Sequence, residues 1–427
     1  MSPSAPLSPP APLGAFREVP FMGVIFVVHE AAKRGFSNGH PDWCNLGQGQ
    51  PEIGPMAGAP KRLASVEIKP EDCAYGPLGG TDEFRATVAG YYNRLYRAGK
   101  KSQFTAANVC GAQGGRLALT RVMAALGHVN IGYILPDYTA YEDMFDLHHS
   151  RLHPVPIRGN PADGFTFTAK MLLAAIDAHG LTALLLSNPC NPTGGVIQGA
   201  ELKRLVDGCR ARGTTLILDE FYSHYIYTRA GKPGRGPVSA APFLADIERD
   251  NVLLVDGLTK NHRYPGFRIG WVLGPSAMME TLSRTASSID GGPSRLAQRA
   301  ALAALEPARA DEETAAVRVE FAKKRNLMLK RLRALGVRFP RPSESTFYLW
   351  GSLENLPAPL NDAMTFFWRA LDHKVMTVPG QFFDVNPGKR RKGASPYSQW
   401  MRFSFGPPMG NVRLGLDRLE AMVRAAK

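Results

Sequence analysis

The chain is predicted to be an α/β protein: a mostly parallel sheet with helices on both faces, followed by a smaller α+β domain. Three observations carry that expectation. Short apolar runs alternate with stretches of helical period, as parallel strands buried on both faces require. The unusual polar residues fall just past the apolar runs, where open α/β sheets collect their chemistry. Beyond about Ala315 the alternation stops and a different pattern begins.

In chain order, the opening MSPSAPLSPPAPLG (residues 1–14) is a Pro/Ser-rich tail, expected to be disordered, with neither a basic n-region nor an apolar h-region. Residues 15–55 are expected to lead into the small domain or a dimer contact; residues 16–35 read as amphipathic, and NLGQGQPEIG (45–54) as a glycine-rich loop. The large domain is drawn over residues 56–314. Its predicted strands lie in NIGYIL, LTALLLS, TTLILD, NVLLVD and RIGWVLG, and its predicted helices over residues 81–96, 116–126, 170–179 and 200–212. The small domain is drawn over residues 315–427. A helix with Arg and Lys on one face runs to Leu335, then come STFYLWG, VMTVPGQFF and MRFSFG, and a closing helix starts near Gly410. No internal repeat or unstructured linker separates the parts, so they are expected to meet along a cleft.

A chain of 427 residues, 44% hydrophobic and 21% charged, can bury a sizeable core. The net charge of +14 admits acidic partners, but the basic residues are spread out. The densest run, GKRRKG at 388–393, lacks the interleaved aromatics of a single-strand-binding surface, and reads as a solvated or substrate-attracting loop, not a nucleic-acid site. Five scattered cysteines without CxxC spacing argue against a zinc site or a disulfide framework and for a reducing compartment. The apolar run VPFMGVIFVV is too short to span a bilayer. No metal and no membrane is expected, and the expected compartment is the cytoplasm.

The chemistry is concentrated at strand ends. LLLSNPCNPTGG brings Asn191 just past one strand, LILDEFYSHY brings Asp219 and then Tyr222 past the next, and LLVDGLTK brings Lys260 past a third, with Arg268 eight residues on. Each alone has a plain structural role: a turn, a helix cap, a surface lysine. Together, an amine, a carboxylate, an amide, a phenol and a guanidinium are what pyridoxal phosphate needs for its aldehyde, ring nitrogen, phenolic oxygen and phosphate.

In these residues, their order and their spacing, the sequence resembles the fold-type I pyridoxal phosphate enzymes. Among them it resembles the class I/II aminotransferases such as aspartate aminotransferase, from about Asn45 to the C-terminus. The resemblance implies that Lys260 forms the internal aldimine and then moves the proton, with Asp219 pairing with the ring nitrogen. It implies that Asn191 and Tyr222 donate to the phenolic oxygen and that Arg268 binds the phosphate. In GAQGGRLALTRVMAAL it gives the amides of Gly115 and Arg116 to the phosphate at a helix N-terminus, and in LPDYTAY it stacks Tyr138 on the ring. YGPLGGTDEFR implies that Tyr75 reaches the phosphate of a neighbouring subunit, and hence a homodimer with shared sites. MRFSFG implies that Arg402 clamps the substrate carboxylate, with the backbone of Gly49 against it.

The chain departs from the family in two places. Gly257 stands where a serine often precedes the lysine, so the phosphate is expected to rely on backbone amides and Thr259. The segment KNHRYPG is unusually basic and aromatic, and His262, Arg263 and Tyr264 are expected either to pack on the lead-in segment or to shape the substrate pocket. The loop GQFFDVNPGKRRKG is read as a lid whose cations favour carboxylate-bearing side chains.

The expected activity is a ping-pong transfer of an amino group from an L-amino acid to a 2-oxo acid. A lyase, decarboxylase or amino-acid oxidase on the same fold shares every cofactor residue and is the alternative. A transcriptional regulator would need a helix-turn-helix module that the forty or so residues before the first glycine loop cannot supply. A binding protein without activity is disfavoured by the complete set of Lys260, Asp219, Asn191, Tyr222 and Arg268.

Overall fold

The computed structural model describes Ala15 and residues 23–426. The predicted tail, and residues 16–22 of the lead-in segment, lie outside the described residues.

The large sheet has seven strands: β2 (Val109–Ala112), β3 (Val129–Leu135), β4 (Leu152–Arg158), β5 (Ala183–Ser187), β6 (Thr215–Asp219), β7 (Val252–Gly257) and β8 (Gly270–Leu273). Their spatial order is β2-β8-β7-β6-β5-β3-β4. Strands β7 through β4 are mutually parallel, and β8 runs antiparallel to both its neighbours.

Alternation along each strand explains the two layers of core. In β5, Ala183 and Leu185 join the core on one face and Leu184 and Leu186 that on the other; β7 divides Leu253 and Val255 from Val252 and Leu254 in the same way. One face is covered by α3 (Gly115–Ala125), α4 (Ala140–Leu147) and α7 (Ser276–Ile289). The other is covered by α2 (Asp82–Tyr96), α5 (Ala169–His179), α6 (Gly199–Arg212) and α8 (Arg295–Ala304). Side-chain caps set several of the helix starts: Thr81 accepts from the Phe84 N–H, Thr168 from Met171 and Ser294 from Ala297.

Two strands of the large sheet escape the sequence pattern for physical reasons. β2 is four residues with a glycine, too short to show a period. β4 contains two prolines, tolerable because it is an edge strand paired only with β3.

The long helix α9 (Pro307–Leu335) begins eight residues before the predicted change of pattern at Ala315, with Glu306 accepting from the N–H groups of Ala308 and Arg309. Its early residues Glu313 and Thr314 bond to the large-domain residues Arg263 and His224, and its later part packs on α11 (Met409–Ala425) and β9 (Tyr348–Ser352). An antiparallel sheet, β11 (Val378–Pro379), β12 (Trp400–Ser404) and β9, forms beside it, with α10 (Ala363–Asp372) following β9. The N-terminal part returns here: α1 (Gly23–Ala32) touches this layer, and β1 (Cys44–Asn45) pairs in parallel with β10 (Val375–Met376). That pairing brings residues 47–49 to the edge of the large sheet's carboxyl end. No helix among the described residues is long and apolar enough to cross a membrane.

Candidate active site

The antiparallel turn of β8 answers why a lysine and an arginine lie eight residues apart. A parallel neighbour would carry the chain away through a helix. Here residues 258–269 fold straight back, so Lys260 and Arg268 stay at the same carboxyl end of the sheet.

That return is tight. Gly257 and Gly270 face each other across β7 and β8, and a Cβ on Gly257 would lie 2.6 Å from the Ile269 carbonyl oxygen and 2.7 Å from the Gly270 Cα. No serine fits there, which accounts for the departure noted in the sequence. The start of α3 sits on this glycine rung, since a Cβ on Gly270 would come within 3.1 Å of Gly115 N.

An anion cradle results. Gly114, at φ +82°, precedes α3, and the Arg268 guanidinium lies over it so closely that a Cβ there would collide with Nη2. Arg268 itself takes a left-handed φ of +50°, and its Nη1 donates to the Pro265 carbonyl (2.9 Å). The first-turn amides of α3, including Gly115 and Arg116, have no acceptor within the helix. Thr259 Oγ1 is buried with no hydrogen-bond partner among the described residues. A helix N-terminus, a guanidinium and an unsatisfied hydroxyl can together hold a phosphate dianion.

Asp219, the last residue of β6, is buried at the other end of the site. Its carboxylate accepts from Tyr141 Oη (2.9 Å) and from the Phe221 N–H (3.3 Å). Burial pushes its pKa up to about 6, against the opposing pull of those two bonds and of Lys260. Tyr141, on α4, is a site residue that sequence reasoning missed; its place three residues after Tyr138, the pair in edge contact at 5.4 Å, was the available signal. Tyr138 is half-buried and accepts from the Arg116 guanidinium (3.2 Å).

Lys260 points its amine at the Gly49 carbonyl, to which it donates. Burial lowers its pKa to about 7, helped by Arg402, Arg268 and Arg116 and opposed by Asp219. Three nearby cations therefore disfavour a fourth, and a large fraction of the amine, about half, is neutral near pH 7.

Arg402, on β12, is almost fully buried. Its Nη1 donates to Asn191 Oδ1 (2.7 Å) and its Nη2 to the Gly47 carbonyl (2.6 Å). Its Nε is buried without a hydrogen-bond partner among the described residues. Tyr222 Oη lies 2.7 Å from Tyr348 Oη, a second missed residue.

The structure thus gathers Lys260, Gly49, Arg402, Asn191, Tyr222 and Asp219 into one cluster, with Thr259, Arg268, Gly115 and Arg116 beside it. Tyr75 is not part of the cluster and is fully exposed.

Of the basic segment after Lys260, Arg263 packs on the lead-in chain, while His262 and Tyr264 pack within the large domain. Arg263 pairs with Glu313 (2.5 Å) and donates to the carbonyls of Glu52 (2.9 Å) and Gly54 (3.0 Å). Tyr264 accepts from the Leu63 N–H (3.1 Å), while His262 lies against Tyr91 and His224. In the loop read as a lid, Lys389 pairs with Glu142 on α4, and Arg391 with Asp384 (2.5 Å). Two of its cations are therefore engaged within the protein.

The profile of the family "Aminotransferase class I and II" matches residues 41–419. Among similar proteins, an aspartate aminotransferase of Sulfurisphaera tokodaii is 25% identical over 386 residues, 89% of each chain. A valine–pyruvate aminotransferase of Mycobacterium tuberculosis is 27% identical over 384 residues, 89% of this chain and 91% of that one. A solved aminotransferase from Mycobacterium tuberculosis superposes with a TM-score of 0.76 over 98% of this chain and all of the other, at 24% identity. Aspartate aminotransferase from Thermus thermophilus with maleate gives 0.75 over 96% and 98%, at 23%; these two show the fold. The parallel sheet, the cluster of site residues at its carboxyl end and the family match across most of the length lead to one conclusion: the chain belongs to the class I and II aminotransferases and is a pyridoxal phosphate-dependent transaminase.

Proposed function

We propose that this enzyme moves an amino group between an L-amino acid and a 2-oxo acid by a ping-pong exchange, with Lys260 as the base. The observation that carries the reading is the convergence of Lys260, whose pKa burial lowers, and the buried carboxylate of Asp219 at one end of the sheet, with an anion cradle beside them. Pyridoxal phosphate supplies an electron sink for the pair left on the substrate Cα. Asp219 keeps a positive charge on the ring nitrogen. Asn191 and Tyr222 donate to the phenolic oxygen. Arg268, Thr259 and the amides of Gly115 and Arg116 hold the phosphate, and Tyr138 covers the ring face. Lys260 carries the proton to and from Cα, and Arg402 with Gly49 fixes the substrate carboxylate. The relatives carry names for aspartate, valine–pyruvate and LL-diaminopimelate aminotransferases, so a shared carboxylate clamp with a variable side-chain pocket suits this chain.

The proposal extends to assembly and place. The exposed Tyr75 serves the phosphate of a second copy, making a homodimer with shared sites, and the enzyme works in the cytoplasm. Residues 56–314 act as the cofactor-binding domain and 315–427 as the small domain, with α9 joining them and residues 15–55 packed on the small domain or a dimer contact.

The test is a half-reaction. Single amino acids are added to the cofactor-loaded protein without any oxo acid, and the visible spectrum is followed. Transamination requires one spectral conversion and one 2-oxo acid per site; continuous product release without an acceptor would instead mean a lyase, decarboxylase or oxidase. Arg268→Ala is expected to weaken cofactor binding about ten- to a hundredfold, because hydrogen bonds to charged groups contribute about 1.5–3 kcal/mol. A spectroscopic titration of the cofactor-free protein measures it. Arg268→Lys should recover only part, since it keeps the charge and loses the planar fork.

A further inference from the structure

We infer that Tyr348 is a positioning residue for both ends of the substrate site: its hydroxyl directs Tyr222 and its ring holds Arg402. The inference rests on the roles proposed above for those two residues.

The strand geometry puts Tyr348 there. Trp350 is the cross-strand partner of Arg402, and Tyr348, two residues before it on β9, presents its side chain to the same face. The Arg402 guanidinium carbon lies 4.1 Å from the Tyr348 ring centre and 4.9 Å from that of Phe383. Both Arg402 Nη groups are already used, on Asn191 and Gly47, so the rings complete the guanidinium's support and leave its Nε without a partner among the described residues. The Tyr348 hydroxyl is 2.7 Å from that of Tyr222, and a Cβ on Gly49 would overlap it.

A phenol has one proton to give. If Tyr222 gives its proton to the cofactor's phenolic oxygen, the short contact with Tyr348 requires that Tyr348 donate to Tyr222. This fixes the direction of the Tyr222 proton and strengthens its donation. With phenylalanine at 348, Tyr222 loses its donor and would donate less strongly to the phenolic oxygen of a bound cofactor, which would keep more negative charge and hold its neighbouring proton to higher pH. The other charged or titratable groups facing this pair are Arg402, Tyr138 and Asp219, with Arg268 and Arg116 also acting on Lys260.

The experiment uses the cofactor-loaded protein and two variants, Tyr348→Phe and Tyr348→Leu, read by pH titration of the visible band and by amino-acid half-reaction kinetics. Tyr348→Phe keeps the ring. It is expected to raise the band's pH midpoint by about half a unit or more, a roughly threefold or greater gain in proton affinity, and to lower kcat while leaving KM unchanged. Tyr348→Leu is expected in addition to raise KM about tenfold, because a desolvated guanidinium loses its aromatic partner. A Tyr348→Phe midpoint equal to that of the wild type overturns the hydroxyl's role, and a KM for Tyr348→Leu equal to that of Tyr348→Phe overturns the ring's. A wild-type protein that shows no visible band with the cofactor overturns the reading of the site itself, and this inference with it.

Discussion

Lys260→Ala is expected to lower turnover by about four orders of magnitude or more, the upper range of what a single acid–base group contributes. The loss should exceed that of any other single substitution, because the same amine both bonds the cofactor and carries the proton. Lys260→Arg separates charge from basicity. Its guanidinium remains protonated throughout the working pH range, so it should be as inactive as the alanine variant; activity in Lys260→Arg would mean that the base is another group. The depressed pKa gives a second readout. An unperturbed lysine is almost wholly protonated below pH 9, whereas here burial and the cations of Arg402, Arg268 and Arg116 bring the value to about 7. The neutral amine is the attacking form, so capture of the cofactor aldehyde by the cofactor-free protein should speed up as pH rises and level off above a midpoint near 7. Stopped-flow absorbance across that range measures it. A rate still rising steeply at pH 9 would show that the cluster of cations does not act on Lys260.

Three of the site residues read from the sequence share one property: each ends or follows an apolar run strong enough to be a buried strand. Asn191 and Lys260 stand just past β5 and β7 and Asp219 is the last residue of β6, and the rule that chemistry gathers at such ends pointed to them. Tyr348 and Tyr141 were hidden because aromatics inside STFYLWG and TAYEDMF look like core, and burial is also what they have. Only the hydroxyl contacts, made across long sequence separations to Tyr222 and Asp219, distinguish them. Gly257 shows a related limit. Its sequence context suggested only that the phosphate would rely on backbone amides and Thr259, while the antiparallel return of β8 shows that a side chain there would strike the next strand. The direction of β8 could not be read, because a four-residue strand looks the same either way. Arg263 was left undecided between pocket and packing for want of its partners; Glu313, Glu52 and Gly54 come from two other regions of the chain.

Asp219→Asn is expected to lower kcat by about a hundred- to ten-thousandfold, the range for a positioned proton-holding group, while cofactor affinity changes far less. The phosphate cradle of Arg268, Thr259 and α3 is untouched, and the single oxygen of asparagine can still accept from the Phe221 N–H while its amide nitrogen donates to the Tyr141 hydroxyl. What is lost is the negative charge opposite the ring nitrogen, on which the electron sink depends. The same charge burdens the cofactor-free fold. Burial raises the pKa of Asp219 from its ordinary 3.8 to about 6, so the folded state holds the proton more tightly than the unfolded chain. Its contribution to stability is therefore complete below pH 3.8 and lost as pH rises through about 6; a shift of this size corresponds to at most about 3 kcal/mol. Asparagine carries no such dependence. The cofactor-free Asp219→Asn protein should match the wild type near pH 4 and exceed it in stability at pH 7 to 8, as denaturant unfolding at the two pH values would show. In the loaded enzyme the order should reverse, because the ring-nitrogen cation compensates the aspartate and not the amide. A gap between the two cofactor-free proteins that stays constant with pH would mean that the buried charge costs the fold nothing, and that Asp219 is held for packing alone. A gap that opens as pH rises, together with collapsed turnover, would mean that the site keeps a destabilising charge because catalysis needs it.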